Sequence, residues 1–273
     1  MCDKYKKIFS ARNDLIKKII GLREKKIRDK NNEFIVEGKK FVAEINCYAK
    51  MKKLIVAEKY FDLYLKAEKK NFACDNIFVL ENKLFDNVSD VNNSQGIMAV
   101  FEKKNLNLDD LLKKISKKKY LLVVLEKIND PGNLGNIIRS CVAFGVDGLI
   151  ISRGSVDLYN SKVLRATAGN IFKIDICDDC DLGLSLDKFK NDGAKIFATD
   201  LMAEKNIYDI NFNFKCAIIF GNEANGISRE ILCKAEEKIK IRMKKNIESL
   251  NISVAAGILL NKIFIDRSDF FGL

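Results

Sequence analysis

Residues 120–140 read YLLVVLEKINDPGNLGNIIRS, which is an unbroken apolar run followed by a turn signal and a helical pattern. An apolar run of this length is typical of a strand covered on both faces, as in a parallel sheet. Pro131, the only proline of the chain, fixes its own φ and keeps Asp130 out of the helical region. We therefore predict a buried strand, a rigid turn, and a helix that begins near Leu134 and is capped by Asn133.

The same alternation continues through the second half of the chain. Strands alternating with helices predict a doubly wound α/β domain with a mostly parallel sheet. Ligands bind such domains beyond the carboxyl ends of the strands, so the loops there form the candidate site. The predicted strands are DGLIIS (147–152), AKIFAT (194–199), CAIIF (216–220) and Lys238–Ile241, and helical patterns cover Leu134–Phe144, Ser161–Thr167, Leu184–Lys190 and Ser228–Lys234.

The first hundred residues predict a smaller α/β domain. Its predicted strands lie at Leu54–Ala57, in NIFVLE (76–81) and in QGIMAVFE (95–102), and a helical pattern begins at Phe41. The segment that follows is charged and contains one short helical pattern, which we interpret as a linker. We therefore predict an N-terminal domain over residues 1–104, a linker over 105–119 and a second domain over 120–273.

The net positive charge of the chain comes entirely from its first part. The formal net charge is +11, and residues 1–120 hold 28 Lys and Arg against 17 Asp and Glu, whereas residues 121–273 hold 20 of each. An acidic polymer is the natural partner of such a surface, and nucleic acid is the commonest one. A lysine bias that only improves solubility is the alternative, so the charge favours a nucleic-acid partner without deciding it.

The chain contains no histidine, which excludes Ser–His–Asp and Cys–His catalysis, histidine general bases and histidine metal ligands. The eight cysteines are scattered, and CDDC (177–180) has neither a second cysteine pair nor a histidine to complete a zinc site. We expect free thiols and no metal. No apolar run reaches membrane-spanning length. We therefore expect no membrane partner and a cytoplasmic location, although the basic segment 4–20 leaves an organelle-import peptide open.

Two further loops follow predicted strands of the second domain. GNEANGIS (221–228) places Gly221 directly after a buried strand, where the missing side chain lets a ligand approach the backbone. Glu223 is a carboxylate in the same loop, and Ser228 is expected to cap a helix. Residues 249–264 predict a helix that is apolar nearly all round and therefore buried, either within the domain or against a second subunit.

Two of these helices carry polar side chains that are candidates for a site. Arg139 falls on a different face from the apolar stripe of its helix and is predicted to point away from the core. An ordinary surface arginine is the alternative. The nearby glycines lack the dinucleotide-binding spacing, which disfavours a nicotinamide cofactor. The helix over 249–264 opens with Ser249 and Asn251, whose polar groups need a helix cap or a ligand as partner.

Three segments, in this order, resemble the signature motifs of the SpoU (TrmH-like) family of RNA 2′-O-ribose methyltransferases, which belongs to the SPOUT superfamily. They are NLGNIIR (133–139), FGNEANGIS (220–228) and ESLNISVAA (248–256). The similarity extends over residues 120–265, and the first hundred residues resemble the small RNA-binding α/β domain that many members carry. The resemblance implies a trefoil knot in the C-terminal domain, a rare exception to unknotted topology. It also implies S-adenosyl-L-methionine as cofactor, RNA as substrate and a homodimer with the site near the subunit interface.

The resemblance also implies roles for individual residues. The positions that match catalytic residues of the family are Asn133, Arg139, Glu223, Ser249 and Asn251. The positions that match the cofactor cradle, which acts largely through backbone atoms, or lie beside it, are Gly221, Ile241, Met243 and Leu250. One departure is Arg242, where the family usually has proline. We expect this arginine to reshape the cofactor loop or to add a cation near the RNA.

The mechanism that the resemblance implies is methyl transfer to a ribose oxygen, which requires positioning of two partners and removal of a proton. A guanidinium stays protonated in proteins. We therefore hypothesise that Arg139 binds the adjacent phosphate and steadies the developing alkoxide, while Glu223, Ser249 or a water relays the proton.

Three alternatives stay open at this point. Ribosomal RNA is favoured over transfer RNA because the N-terminal domain resembles that of members acting on large-subunit RNA, which is an argument from fold. The same motifs would also suit a transfer RNA methyltransferase. An inactive RNA-binding assembly factor with a methyltransferase fold is favoured only by Arg242, and an oxidoreductase is disfavoured by the missing glycine spacing.

Overall fold

The computed structural model describes residues 5–67, 72, 74–91, 93–116, 119–244 and 248–267. These residues form two compact units. One lies within Met1–Lys104 together with Tyr159–Leu164, and the other within Asn105–Leu158 together with Arg165–Leu273. Lys4, the first residue of the basic segment, and residues 117–118 of the proposed linker lie outside the described residues.

The first unit is built on a five-stranded mixed sheet. Its strands are β1 (Tyr5–Ile8), β2 (Glu33–Glu37), β3 (Met51–Ala57), β4 (Ile77–Leu80) and β5 (Ile97–Glu102), and its helices are α1 (Asp14–Gly21), α2 (Lys25–Asn31), α3 (Lys39–Ile45) and α4 (Asn82–Val88). The strand order is β1-β4-β3-β5-β2. Strand β4 runs parallel to β1 and β3, whereas β5 runs antiparallel to β3 and β2.

Helix α1 shows how local sequence and packing combine in this unit. The side chain of Asn13 caps the helix by accepting a hydrogen bond from the N–H of Leu15 at 2.9 Å. Leu15, Ile16 and Ile19 are buried on one face and join a core cluster that includes Phe85. The unit is the small α/β domain that was predicted. Strands β1 and β2 were missed because both are short and carry charged residues in their pattern.

The second unit contains a seven-stranded sheet in which every pairing is parallel. The strands of residues 105–273 are β6 (Leu121–Leu125), β7 (Gly148–Ser152), β8 (Ile176–Cys180), β9 (Lys195–Thr199), β10 (Lys205–Asn206), β11 (Cys216–Phe220) and β12 (Glu237–Lys240). The helices are α5 (Leu108–Ile115), α6 (Pro131–Ala143), α7 (Ser161–Thr167), α8 (Leu182–Asn191), α9 (Arg229–Leu232) and α10 (Ile252–Asp266). The strand order is β10-β12-β9-β11-β6-β7-β8.

The two most apolar strands lie side by side in this sheet. All five residues of β6 and all five of β11 are buried, as expected for parallel strands covered on both faces. The predicted mostly parallel α/β fold is therefore confirmed. The trefoil knot stays a prediction, because strand order and pairing do not by themselves describe how the chain threads.

Helix α5 occupies most of the proposed linker. Its N-cap Asn107 accepts a hydrogen bond from the N–H of Asp110 at 2.9 Å, and Leu111 and Ile115 lie in the same core cluster as Tyr120 of the second unit. Residues 108–115 are thus packed structure. Their charged composition reflects the solvent-exposed face of an amphipathic helix.

The described cysteines are free thiols. Cys177 and Cys180 lie at β8, and burial raises the pKa of the Cys177 thiol to about 12 and that of the Cys180 thiol to about 11. Both thiols therefore stay protonated at neutral pH, which suits a packing role. Within the described ranges, no helix has the length and apolar character needed to cross a membrane.

Candidate functional site

The turn before α6 positions the first group of candidate residues. Asp130 is the N-cap, and its Oδ1 accepts a hydrogen bond from the N–H of Asn133 at 2.7 Å. Pro131 occupies the first position of the helix, where its missing N–H costs nothing. The prediction that Asn133 caps the helix was therefore wrong, because the helix begins three residues earlier. The side chain of Asn133 is consequently free for other partners.

A cavity of about 570 Å³ lies at the carboxyl ends of β9, β11 and β12, where the rule for parallel sheets places ligands. Its walls combine apolar and polar side chains. The lining includes Asn133, Thr199, Asp200, Phe220, Gly221, Asn222, Glu223, Ile239, Ile241, Met243, Glu248, Ser249, Leu250, Asn251 and Leu259. Eight of the nine residues predicted for the site line this one cavity, and Arg139 is the exception.

A chain of hydrogen bonds joins the three sequence motifs at the rim of this cavity. Asn251 Nδ2 donates to Asn133 Oδ1 at 3.0 Å, and Asn133 Nδ2 donates to Glu223 Oε1 at 3.0 Å. The backbone N–H of Asn129 lies 3.5 Å from Glu223 Oε2. Asn251 also caps α10 by accepting from the N–H of Ser253 at 2.9 Å. The Glu223 carboxylate is thereby oriented by two groups of the segment between β6 and α6, and Asn251 in turn holds one of them, Asn133.

The loop over residues 221–228, which carries the second of the three motifs and is called the motif-two loop below, owes its shape to Gly221 and Gly226. A Cβ atom on Gly221 would lie 2.2 Å from the carbonyl carbon of Gly226 and 2.3 Å from the nitrogen of Ile227. Gly226 has φ +66°, in the left-handed region. Gly221 was predicted to let a ligand approach the backbone. The structure shows that the loop's own backbone already excludes a side chain there. Ser228 caps α9, as predicted, by accepting from the N–H of Ile231.

Asp200 is a cavity residue that the sequence argument missed. It follows strand β9, so the rule that ligands bind beyond the carboxyl ends of strands would have found it. The N–H of Met202, 2.9 Å from Oδ1, and the ammonium of Lys238, 3.0 Å from Oδ2, hold the pKa of the Asp200 carboxyl below its usual value. The cavity therefore carries a fixed negative charge that can accept hydrogen bonds from hydroxyl or ammonium groups.

The backbone supplies further ligand-binding groups. Within the described residues, the backbone N–H and C=O groups of Ile241, Met243 and Leu250 form no hydrogen bond, although all three residues are half-buried against the cavity. Half-buried peptide groups normally find partners. These groups are therefore suited to hold the edge of a bound molecule, while Phe220 and Leu259 provide apolar contact surface.

Two arginines lie outside the cavity lining. Arg139 is exposed on α6, six residues after Asn133, which places its Cα about 9 Å further along the helix axis. Arg242 is exposed between Ile241 and Met243. Neither guanidinium has a hydrogen bond or an ion pair among the described residues. A single chain thus presents both cations to solvent and neither within the cavity; Arg242 lies between two lining residues, whereas Arg139 lies further along α6.

Helix α10 is buried on one face only. Ala256, Leu259 and Ile263 are buried, whereas Val254 is 49% exposed and Ile265 is 58% exposed. The prediction that the domain itself buries this helix on all sides was therefore wrong. The alternative, burial against a second subunit, stays a prediction.

Comparison with known proteins identifies the family. Residues 120–261 match the model of the SpoU rRNA Methylase family. The chain belongs to this family. Residues 13–99 match the MRM3-like substrate binding domain. As a SpoU-family member, the protein is an RNA methyltransferase, which confirms the resemblance that the three motifs indicate.

Relatives resemble this SpoU-family chain over nearly its whole length. It is 30% identical over 257 residues to the 23S rRNA (guanosine(2553)-2′-O)-methyltransferase RlmP of Bacillus subtilis, a match that covers 93% of this chain and 98% of that protein. It is 26% identical over 265 residues to an uncharacterized tRNA/rRNA methyltransferase of Synechocystis sp., with 93% and 91% covered.

Two solved structures of rRNA methyltransferases are also similar to this chain over nearly its whole length. An rRNA methyltransferase from Sinorhizobium meliloti superposes with a TM-score of 0.82 at 26% identity, over 97% of this chain and 98% of that one. A second crystal structure of an rRNA methyltransferase from that organism, bound to AdoMet, superposes with a TM-score of 0.79 at 25% identity, over 97% and 98%.

Proposed function

We propose that this RNA methyltransferase transfers a methyl group from S-adenosyl-L-methionine to a ribose 2′-hydroxyl of ribosomal RNA. The observation that carries the proposal is the hydrogen-bonded chain from Asn251 through Asn133 to Glu223, at the rim of one cavity. It supports a reaction centre because Asn133, which is itself held by Asn251, keeps an exposed carboxylate in a defined orientation beside a ligand-sized space.

The cavity fits the proposed cofactor in size and in chemistry. A volume of about 570 Å³ is in the range of cofactor pockets. We assign the unpaired peptide groups of Ile241, Met243 and Leu250 to one edge of the cofactor, and the Asp200 carboxylate to its hydroxyl or ammonium groups. When bound, S-adenosyl-L-methionine supplies a methyl group activated for displacement.

The chain's own residues then have to hold a ribose and remove its proton. Glu223 accepts hydrogen bonds from Asn133 and from the Asn129 N–H, which leaves further lone pairs of its carboxylate for the 2′-hydroxyl. The Ser249 hydroxyl lines the same cavity and has no hydrogen bond within the described part of the chain. We assign the proton acceptor to Glu223, reached directly or through Ser249.

Arg139 suits a role outside the reacting atoms. Its exposed position on α6, six residues after the cavity residue Asn133, supports binding of an RNA phosphate that flanks the target ribose. Such a contact positions the RNA without requiring the guanidinium to lose a proton. The exposed cations of α2, Lys25, Lys26 and Lys30, form no ion pair among the described residues and supply a further surface for RNA phosphates.

We also propose that the protein is a homodimer through the exposed face of α10. Val254 and Ile265 present apolar surface to solvent there, and Phe264 packs against Phe144 of α6 with ring centroids 6.1 Å apart. A helix with apolar residues all round is expected to be covered on both faces. A second copy of this chain would supply that cover and would bring Arg139 of α6 close to the interface.

Ribosomal RNA is proposed as substrate over transfer RNA for two reasons. The Bacillus subtilis relative RlmP is a 23S rRNA methyltransferase, and the match to it covers 93% of this chain. The substrate-binding domain at residues 13–99 extends the chain beyond the catalytic family domain. A transfer RNA substrate remains the second candidate, since the Synechocystis relative is described as a tRNA/rRNA methyltransferase. Mapping ribose methylation in RNA from cells with and without this gene decides between them.

The proton acceptor is tested by the pH dependence of Glu223→Gln. If Glu223 takes the proton, wild-type turnover rises with pH as the carboxyl group ionises, and the substitution removes this rise. The matched control is Glu230→Gln, which alters an exposed carboxylate on α9 outside the cavity. If the turnover of Glu223→Gln still rises with pH as it does in the wild type, Glu223 is not the base.

A further inference from the structure

A second cavity, of about 350 Å³, lies beside the motif-two loop. Every side chain that lines it is polar, and the lining includes Glu126, Lys127, Asn129, Asn222 and Asn225. Asn222 and Gly226 line both this space and the larger cavity. The motif-two loop, which carries Glu223, therefore forms a wall shared by the two cavities.

The walls of the second cavity are rigid. Asn222 Nδ2 donates to the carbonyl of Lys127 at 2.7 Å, and Asn222 Oδ1 accepts from the N–H of Asn225 at 3.0 Å. The N–H of Lys127 donates to Ser152 Oγ at 2.7 Å. Lys127 itself has φ 51°, a left-handed conformation that is uncommon for a residue with a side chain. These contacts fix the backbone on both sides of the space.

Glu126 places a carboxylate in the lining of the second cavity. It is only 5% exposed, and its Oε2 accepts a hydrogen bond from the N–H of Ser228 at 2.8 Å. Within the described residues this is the only hydrogen bond of the carboxylate. An ionised carboxylate has about four lone-pair sites, so Glu126 retains acceptor capacity that faces the cavity. Its second oxygen is open to the cavity, where the N–H group of a bound molecule can donate to it.

The Glu126 carboxylate also indicates whether the second cavity suits the phosphate or the base of a nucleotide. A phosphate would be repelled by Glu126, whereas a base with N–H donors would satisfy it. Guanine is the base that presents two adjacent donors, N1–H and the N2 amino group, on its Watson–Crick edge. Lys127 and Asn129 are exposed next to the carboxylate and offer donors to the O6 acceptor of the same edge.

We propose that this second cavity binds the base of the nucleotide to be methylated, and that Glu126 makes it specific for guanine. The inference rests on the proposed 2′-O-methylation at Glu223. A ribose held at the tip of the motif-two loop has its cofactor on one side of that loop and its base on the other. Glu126 is then a specificity-determining residue that does not touch the reacting atoms.

The first test uses ribosomal RNA from cells that lack the gene, incubated with the full-length protein and S-adenosyl-L-methionine labelled in its methyl group. Digestion to nucleosides shows which one carries the label. We expect 2′-O-methylguanosine. Label in another 2′-O-methylnucleoside would overturn the guanine assignment and leave the proposed function intact. No label at all would overturn the proposed function, and the inference with it.

The second test separates base recognition from loop structure. It uses a synthetic RNA fragment that spans the labelled position, with guanosine or inosine at the target. Inosine lacks the N2 amino group, so wild-type kcat/KM should fall by about tenfold or more with inosine. Glu126→Gln keeps an acceptor for the Ser228 N–H but loses the carboxylate. It should methylate the guanosine fragment about 10- to 100-fold less well and no longer distinguish the two fragments.

Two controls complete the design. Binding of S-adenosyl-L-methionine, measured by calorimetry, should be within twofold of wild type in Glu126→Gln, because Glu126 does not line the larger cavity. Glu230→Gln should retain the wild-type preference for guanosine. If Glu126→Gln discriminates between guanosine and inosine as strongly as wild type does, Glu126 does not read the base and the proposal fails.

Discussion

Asn133 joins the three motifs, and replacing it with aspartate tests that arrangement with little change in shape. Asn133→Asp keeps the oxygen that accepts from Asn251 but removes the Nδ2 group that donates to Glu223 at 3.0 Å. At alkaline pH the introduced carboxylate faces the Glu223 carboxylate at hydrogen-bond distance. The two negative charges repel each other, so Glu223 should leave its productive orientation.

The size of the effect follows from Coulomb's law. Two unit charges about 4 Å apart repel by about 1 kcal/mol in bulk water and by about 4 kcal/mol near a protein surface. Because Glu223 is exposed, we take about 1 to 2 kcal/mol for the repulsion. The lost hydrogen bond adds about 1 kcal/mol. A sum of about 2 to 3 kcal/mol corresponds to a loss of about 30- to 150-fold in kcat/KM at about pH 8.

The same geometry predicts recovery as the pH falls. A neighbouring carboxylate raises the pKa of the introduced carboxyl group, because ionising both places two like charges together. Below that raised pKa the pair shares one proton, and the protonated group can again donate to Glu223 while it accepts from Asn251. A repulsion of about 1 to 2 kcal/mol raises an ordinary aspartate pKa of about 3.9 by about one unit. The deficit of Asn133→Asp relative to wild type should therefore shrink between about pH 8 and about pH 5.

The assay is transfer of a labelled methyl group to ribosomal RNA at several pH values, with thermal melting to verify folding. The matched control is Asn136→Asp, which places the same charge on the exposed face of α6. Wild-type activity of Asn133→Asp at alkaline pH would refute the role of the hydrogen-bonded chain. A deficit that is the same at both pH values would refute the charge argument and indicate a packing effect.

Two further predictions concern packing and assembly. Gly135→Ala should destabilise the protein by about 1 to 3 kcal/mol, because the new Cβ would lie 2.3 Å from Ala166 Cβ. Thermal melting measures this, and Gly257→Ala, whose Cβ would meet only Ser140 Oγ at 3.7 Å, should melt no lower than wild type; equal melting temperatures for both variants would contradict the clash. If the proposed dimer forms, Val254→Arg on α10 should convert it to a monomer in sedimentation experiments, whereas Leu184→Arg, at an exposed position of α8, should not. A wild-type protein that is monomeric at all concentrations would contradict the proposed interface.

Much of the fold could be predicted from local sequence because its causes are local. The apolar runs of β6 and β11 match their observed bounds closely, since strands covered on both faces need unbroken apolar sequence. The pattern over Ser161–Thr167 matches α7. Strands with charged residues, such as β2, were missed, because pairing with β5 stabilises them and their own pattern does not.

The sequence alone also determined which residue types surround the site. Three motifs in order placed eight of nine residues on one cavity, because the carboxyl ends of parallel strands meet at one edge of the sheet. Helix capping was less predictable. Both Asp130 and Asn133 are good caps, and only the observed start of α6 shows that Asp130 takes that role.

Only the tertiary structure decided which side chains contact one another. Asn133 is 90 residues from Glu223 and 118 residues from Asn251, so no local pattern could reveal that it holds both. The same is true of Glu126, whose contact with Ser228 spans 102 residues. The packing of α6 also decides that Arg139 does not line the cavity. Local propensity fixes which elements form, whereas contacts between distant segments depend on how these elements pack.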